Sequence, residues 1–316
     1  MISYIIIGHN EGWKLDLCIS SVLRTIKENP YIDGEIIYVD SNSGDNSIEI
    51  AKKYLEVRVL RLKGDFNSPV ARNTGASVSN GDILFFIDGD MEVESSFLKH
   101  VINRDNRLCY GFVGGYYINK VYDSGWKLIS TDQFPPAWKL KHDFFEASTG
   151  GLFMISRENW DLAGGMKNYY FGGEDPDLAF RLAKKGIYKL RKTNLMGVHH
   201  TQNPGRSVQL KSLISKRALS GRILLYRENL NSAPALKRML RNEYSAIFFA
   251  LSLLSLFFSI SVGGILILFY LLMTALRALR RRSNPLPALL LKDIIFIFGF
   301  LFYWPGREMK TIVEEI

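Results

Sequence analysis

Cysteine is nearly absent: the 316-residue chain has only Cys18 and Cys109. They form no CxxC pair, so neither a disulfide framework nor a cysteine zinc site is suggested. Both thiols are expected as reduced core residues of a cytosolic compartment. Neither loop after the first two apolar runs carries a GxGxxG fingerprint, and a dinucleotide fold is therefore not indicated. Met1–Ile7 lacks a basic start and a long apolar region, so it does not read as a signal peptide. No internal repeat or low-complexity linker is visible. An even spread of positive charge is also missing, although the net charge is +9. Residues 1–204 hold 24 Lys and Arg against 25 Asp and Glu, whereas residues 205–241 hold nine basic residues against one acidic, Glu228. The basic segment lies directly before the most apolar part of the chain. That order favours an anionic membrane surface over nucleic acid as the partner.

What is present begins with that apolar part. Tyr244–Leu276 is 33 residues without a charge, and a membrane span needs about 20. As one helix it would be roughly 50 Å long against a hydrocarbon core of about 30 Å. Lys237, Arg238 and Arg241 precede it, and Arg277, Arg280, Arg281 and Arg282 follow. If positive charge stays cytoplasmic, both ends lie on one side. A hairpin bent at Gly263-Gly264 fits better than one tilted span. A third apolar stretch, Leu286–Trp304, is interrupted by Lys292-Asp293 and is expected to be interfacial or partly embedded, because a paired charge in lipid is costly.

Before residue 200, short apolar runs alternate with amphipathic stretches. Tyr4–Ile7, Glu35–Val39, Val57–Leu60 and Ile83–Ile87 read as buried strands, and Trp13–Thr25 and Asp45–Tyr54 as helices, the second capped by Asp45. This alternation implies an α/β fold with a mostly parallel sheet and helices on both faces. Polar residues collect where strands end, the rim at which open α/β sheets bind ligands. The strand Phe85-Phe86-Ile87 ends in Asp88-Gly89-Asp90. Two carboxylates at i and i+2 share a strand face and suit a divalent ion that also grips phosphate oxygens. The first strand ends in His9-Asn10-Glu11 and the second in Asp40, which is placed to accept from a base or ribose. Arg72, in the first turn of the helix opened by Ser68-Pro69, is misplaced for the helix dipole unless an anion is near. Gly150-Gly151 comes next. Glu174, Asp175 and Asp177 then follow paired glycines, as catalytic carboxylates or as helix caps. His199-His200 fits a metal ligand, or a buried structural pair.

In this order, His9-Asn10-Glu11, Asp40, Arg72-Asn73-x-Gly75, Asp88-Gly89-Asp90, Gly150-Gly151, Glu174-Asp175 and a downstream histidine, the chain resembles family 2 glycosyltransferases over roughly residues 1–204. The resemblance implies the GT-A nucleotide-sugar-binding fold and inversion at the anomeric carbon. It places His9, Asn10, Glu11, Asp40, Arg72, Asp88 and Gly151 around a nucleotide-sugar donor, most simply a UDP-sugar. It implies Mn²⁺ or Mg²⁺ on Asp90 and Asp88, with His199 or His200 as the further ligand. Asp175 would be the base, with Glu174 beside it. The Gln-x-x-Arg-Trp motif of processive synthases is not found, which points to a single sugar addition. The expected organisation is a catalytic domain at 1–204, basic amphipathic interfacial helices at 205–243 and a membrane-embedded region at 244–316. The acceptor is then a lipid-linked, polyprenyl-type saccharide at the cytoplasmic face of the inner membrane. Lipid phosphate itself is the alternative acceptor. A non-catalytic membrane-anchored scaffold would be expected to have lost a metal or base carboxylate, and none is lost.

Overall fold

The computed structural model describes residues 1–202, 215, 219–280, 286–304, 306 and 308–316. It divides into two units. The first comprises Met1–Tyr170, Glu174–Asn203 and Arg307–Ile316, and the second Phe171–Gly173 and Pro204–Gly306.

The first unit opens with the alternation read from sequence: β1 (Ile2–Gly8), α1 (Trp13–Glu28), β2 (Gly34–Asp40), α2 (Ser47–Ala51), β3 (Val57–Gly64), α3 (Ser68–Val78) and β4 (Ile83–Asp88). Every residue of β1 is buried, as a strand covered on both faces must be. Side chains alternate between the faces. Tyr4 and Ile6 pack with Leu15, Cys18 and Ile19 of α1, whereas Ile5 and Ile7 pack with Val70 and Ala71 of α3. The α2 helix is shorter than expected, and its entry is fixed by Asp45, whose Oδ1 accepts from the Ser47 N–H at 3.0 Å.

Strands β3-β2-β1-β4 are all parallel. Beyond them the sheet continues through β9 (Leu152–Ser156), β6 (Phe112–Tyr122), β10 (Lys189–Gln202) and β5 (Met91–Val93). Here the β4–β9, β9–β6 and β10–β5 pairings are antiparallel. The expectation of a mostly parallel sheet therefore holds for the β1–β4 half, and the full sheet is mixed. Strands β7 (Leu128–Phe134) and β8 (Phe144–Glu146) pair antiparallel with β6 and β10. Parallel return needs a crossover element, and none separates β6 from β7. Helices α4 (Leu98–Val101), α5 (Arg157–Ala163) and α6 (Glu174–Ala183) complete the unit. Two expectations are corrected. Cys109 is exposed, unlike the buried Cys18. The chain's last residues, assigned above to the membrane region, instead form β11 (Thr311–Glu315), antiparallel to β3, with Arg58–Glu315 and Lys63–Glu314 ion pairs of 2.7 Å.

In the second unit, a π-helical turn at Ser220–Leu224 runs into α7 (Leu225–Glu228), followed by α8 (Ala233–Asn242), α9 (Tyr244–Ser255), α10 (Ile260–Arg280) and α11 (Leu286–Phe302). Of the basic segment 205–241, residues 205–214 and 216–218 lie outside the described residues, as do Arg281 and Arg282. The uncharged run is broken into two packed helices. The break, however, is at Leu256–Ser259 and not at the glycine pair. Ser259 Oγ accepts the Val262 N–H at 3.3 Å, which starts α10 as an N-cap serine does. Gly263 serves close packing, since a Cβ there would sit 2.5 Å from Leu256 Cδ2. Ile260–Leu279 is long and apolar enough to cross a membrane. The charges of Lys292-Asp293 do not pair with each other. Asp293 is buried and accepts from Ser245 and Tyr270 hydroxyls at 3.1 and 3.0 Å, and Lys292 Nζ lies 3.9 Å from Glu243.

Candidate active site

Strands β1, β2 and β4 end side by side, so their carboxyl-terminal loops share one rim. The first two loops are tied together. Asn10 N–H donates to Ser43 Oγ at 2.9 Å, Gly44 N–H donates to Asn10 Oδ1 at 2.8 Å, and Glu11 N–H donates to Ser47 Oγ at 3.0 Å. His9 Nδ1 donates to the Ser41 carbonyl at 2.7 Å. Asp40 does not face the cleft as expected. It is fully buried, with one oxygen accepting from Tyr38 Oη at 3.0 Å and the other from Ser43 N–H at 2.8 Å. Satisfied in this way, it shapes the second loop.

Arg72 is the centre of the acidic rim. Its side chain is 2% exposed, and α3 aims it under the end of β4. The guanidinium lies 2.7 Å from Asp88, 3.4 Å from Asp175 and 4.0 Å from Glu174. Burial alone would weaken its charge, but the carboxylates outweigh that and hold its pKa above the ordinary value. The apparent need for an anionic ligand in the first turn of α3 is thus met within the protein by acidic side chains of β4 and α6. Partial withdrawal from water raises the Asp88 carboxyl above its ordinary value, against the pull of Arg72 and with added repulsion from Asp90, Asp175 and Glu11. Its edge toward the cleft stays open, the side chain being 37% exposed. Gly151 is required behind it, because a Cβ would stand 2.1 Å from Asp88 Oδ2. The third acid of α6, Asp177, is completely buried and pairs with Arg181 at 2.8 Å and Lys167 at 3.2 Å. It is a structural residue.

Asp88 and Asp90 do not act from one face. Strand β4 stops at Asp88, so the alternation rule no longer governs Asp90 beyond the Gly89 turn. Asp90 turns toward α1 and β10. Its Oδ2 lies 3.9 Å from Lys14 Nζ and 3.3 Å from His199 Nε2, while Lys14 also pairs with Glu11 at 2.5 Å. The Glu11 side chain is itself largely buried, and this burial and the neighbouring Asp90 raise its pKa against the pull of Lys14. The histidine pair lies on β10, where neighbours point to opposite faces. His199 Nδ1 donates to Asn119 Oδ1 at 2.9 Å, and Asn119 is oriented by its own amide donating to Asp132 at 3.1 Å. This leaves His199 Nε2 facing Asp90. His200 is buried, with Nε2 on Glu92 at 2.7 Å and Nδ1 on Tyr122 Oη at 2.8 Å. Among the described residues, no group of three or more His, Cys, Asp or Glu side chains is arranged to hold a metal ion. Of the expected set Asp88, Asp90, His199 and His200, the structure brings Asp90 and His199 together, at 3.3 Å. Asp88 is engaged by Arg72, and His200 by Glu92 and Tyr122. A carboxylate beside an imidazole nitrogen, partly exposed, suits a divalent ion whose other ligands come from substrate phosphates and water.

A family model described as glycosyl transferase family 2 matches residues 3–162, about half of the chain. The chain belongs to glycosyltransferase family 2. A second model, described as the N-terminal domain of galactosyltransferase, matches residues 136–201. Glycosyltransferase AglE of Haloferax volcanii is 31% identical over 68% of this chain and 72% of its own length. The poly(ribitol-phosphate) beta-N-acetylglucosaminyltransferase TarP of Staphylococcus aureus is 37% identical over 32% of each chain. This chain therefore spans only about a third of that enzyme. A crystal structure of GalNAc-T7 with UDP, GalNAc and Mn²⁺ superposes with a TM-score of 0.51 at 20% identity, covering 65% of this chain and 45% of that one. This likeness shows the GT-A fold.

In this family 2 enzyme the structure also brings to the rim residues that the sequence does not advertise. Lys189 is fully buried beneath the Gly150-Gly151 turn, donating to the Thr149 carbonyl at 2.7 Å and lying 3.3 Å from Glu146. Burial and the nearby Arg191 charge pull its pKa down to about 7. Asn119 and Lys14 reach Asp90 or His199 only through tertiary contacts. The sole local signal for Lys14 was its i,i+3 spacing from Glu11.

Proposed function

We propose that this glycosyltransferase is metal-dependent and inverting, and moves one sugar from a nucleotide-diphosphate sugar, a UDP-sugar first, to a lipid-linked polyprenyl-type saccharide. The observation that carries the reading is Arg72, which holds Asp88 and Asp175 on one buried guanidinium at the rim of a GT-A sheet. In this reading Asp175 accepts the proton of the acceptor hydroxyl. Arg72 keeps that carboxylate oriented, and Glu174 adds negative charge behind it. His9, Asn10 and Glu11 line the donor's side, and Asp88 contacts the donor ribose. Attack from the face opposite the nucleotide inverts the anomeric carbon. Asp90 and His199 would hold Mn²⁺ or Mg²⁺, which when bound supplies positive charge for the leaving diphosphate. The Mn²⁺ and UDP recorded with GalNAc-T7 support a divalent ion and a UDP-sugar donor. The apolar second unit, with one helix able to span a membrane, supports catalysis at a membrane surface, in this reading the cytoplasmic face of the inner membrane. The test is donor hydrolysis and transfer by the full chain in detergent, screened over UDP-, GDP- and dTDP-sugars with Mn²⁺. Turnover that survives chelation would overturn the metal assignment, and turnover only with soluble acceptors would overturn the lipid-linked one.

A further inference from the structure

Within the second unit, α9 and α10 enclose a cavity of about 760 Å³ that the reading above does not use. Its one charged lining residue, Arg277 near the end of α10, sits at one end beside Tyr244 and Ser245, which begin α9, and Tyr270 and Thr274 add hydroxyls along α10. Phe248, Phe269 and Met273 line the rest. Phe269 and Arg277 are eight residues apart on α10, so cation gives way to hydrocarbon over about 12 Å. Arg277 donates to Ser245 Oγ at 3.2 Å and lies 5.3 Å from the Tyr244 ring centroid. Among the described residues no carboxylate comes within 4.0 Å of it. The nearby acids are already engaged. Glu243 holds Arg222 at 2.5 Å and Lys292 at 3.9 Å, and Asp293 is hydrogen-bonded by Ser245 and Tyr270. Among these described groups, three cations (Arg222, Lys292, Arg277) against two anions (Glu243, Asp293) leave one positive charge in excess, at the mouth of an apolar slot. α10 is also the helix able to span a membrane, and only 17% of its apolar window is buried. The slot therefore lies along a helix whose surface is open to lipid.

We infer that the α9–α10 groove binds a single long-chain polyprenyl-type phosphate, with the phosphate on Arg277 and the chain against Phe248, Phe269 and Met273. A guanidinium matches phosphate oxygens in a bidentate fork. The slot beside Arg277 is a single apolar channel between two helices, which matches one hydrocarbon chain on one phosphate; the other apolar cavity of this unit, between α9 and α11, is lined by Met239 and apolar residues with no cation. The inference rests on the lipid-linked acceptor proposed above and names where its lipid is held.

The test uses the full chain in phosphatidylcholine nanodiscs with a photoreactive long-chain polyprenyl phosphate. Labelling is expected on α9 and α10, competed by unlabelled polyprenyl phosphate and not by phosphatidylglycerol. Arg277→Gln should lower labelling at least tenfold, and Arg277→Lys should retain most of it. Met273→Trp, which fills the slot, should also block labelling. Donor hydrolysis should be unchanged in all three, which reports an intact fold. Labelling elsewhere, equal competition by phosphatidylglycerol, or full labelling of both Arg277→Gln and Met273→Trp would overturn the groove. If the wild-type protein labels in the groove but transfers no sugar to lipid-linked saccharides, the groove stands and the acceptor assignment fails. If it transfers, and Arg277→Gln has an unchanged KM for that acceptor, the reverse holds.

Discussion

Replacing His199 and His200 one at a time separates two roles that sequence left equivalent. His200→Ala removes two hydrogen bonds from a buried ring, one of them to the charged Glu92 at 2.7 Å. A bond to a charged group contributes about 1.5–3 kcal/mol and a neutral one about 1, so the expected loss is about 3 kcal/mol. For a unit of roughly 200 residues that lowers Tm by about 6–12 °C. The His200→Ala protein should need no more Mn²⁺ than wild type at a temperature where both are folded. His199→Ala loses the partly exposed bond to Asn119 and the 3.3 Å contact with Asp90, together about 2 kcal/mol, so its Tm should fall by about 4–8 °C. Its metal requirement should rise at least tenfold. Even an outer-shell change costs about 10- to 100-fold in metal affinity, and Asn119→Ala, which frees the ring of His199, should fall in that range. The assays are thermal unfolding and Mn²⁺ titration of donor hydrolysis by the full chain. An increased metal requirement in His200→Ala but not in His199→Ala would refute the assignment of His199 Nε2, and so would equal effects in both assays.

Further outcomes are expected elsewhere. Asp175→Asn should leave donor affinity nearly intact while lowering turnover about 10²-fold or more; collapse of donor affinity, with turnover of bound donor kept, would make it a binding residue. Gly151→Ala forces Asp88 off its 2.7 Å contact with Arg72, and a shift of about 1 Å costs roughly 10²-fold; Gly44→Ala, where an added Cβ meets nothing within 4 Å, is the control that should keep wild-type kcat/KM. Lys189 titrates near 7 when folded and near 10.5 when unfolded, so the unfolded chain binds the extra proton between those values. Stability should therefore rise with pH across that window and be flat below it, a rise that Lys189→Met lacks in unfolding curves at pH 7 and 9.5. In the membrane, a cysteine introduced at Ser283 should label only from the side that carries the catalytic unit; labelling solely from the other side means one full crossing.

The parallel half of the sheet was legible because strands buried on both faces read as continuous apolar runs, and Tyr4–Ile7 and Ile83–Ile87 did so. The remaining pairings were not, since β6–β10 and β9 are joined by long-range hydrogen bonds that no local period encodes. The break in the apolar run was misplaced for a similar reason. Glycine is a permissive signal, whereas Ser259 determined the helix start and Gly263 was needed for packing against Leu256. By itself the sequence determined the family, the polar ends of β1, β2 and β4, and the candidacy of each acidic residue and histidine. Tertiary structure alone decided which of them meet. Strand β4 ends at Asp88, so Asp90 swings to His199; Arg72, isolated in sequence, gathers Asp88 and Asp175. Alternation along β10 sends His199 into the cleft and His200 into the core, because adjacent side chains of a strand occupy opposite faces and only the packed sheet fixes which face is which.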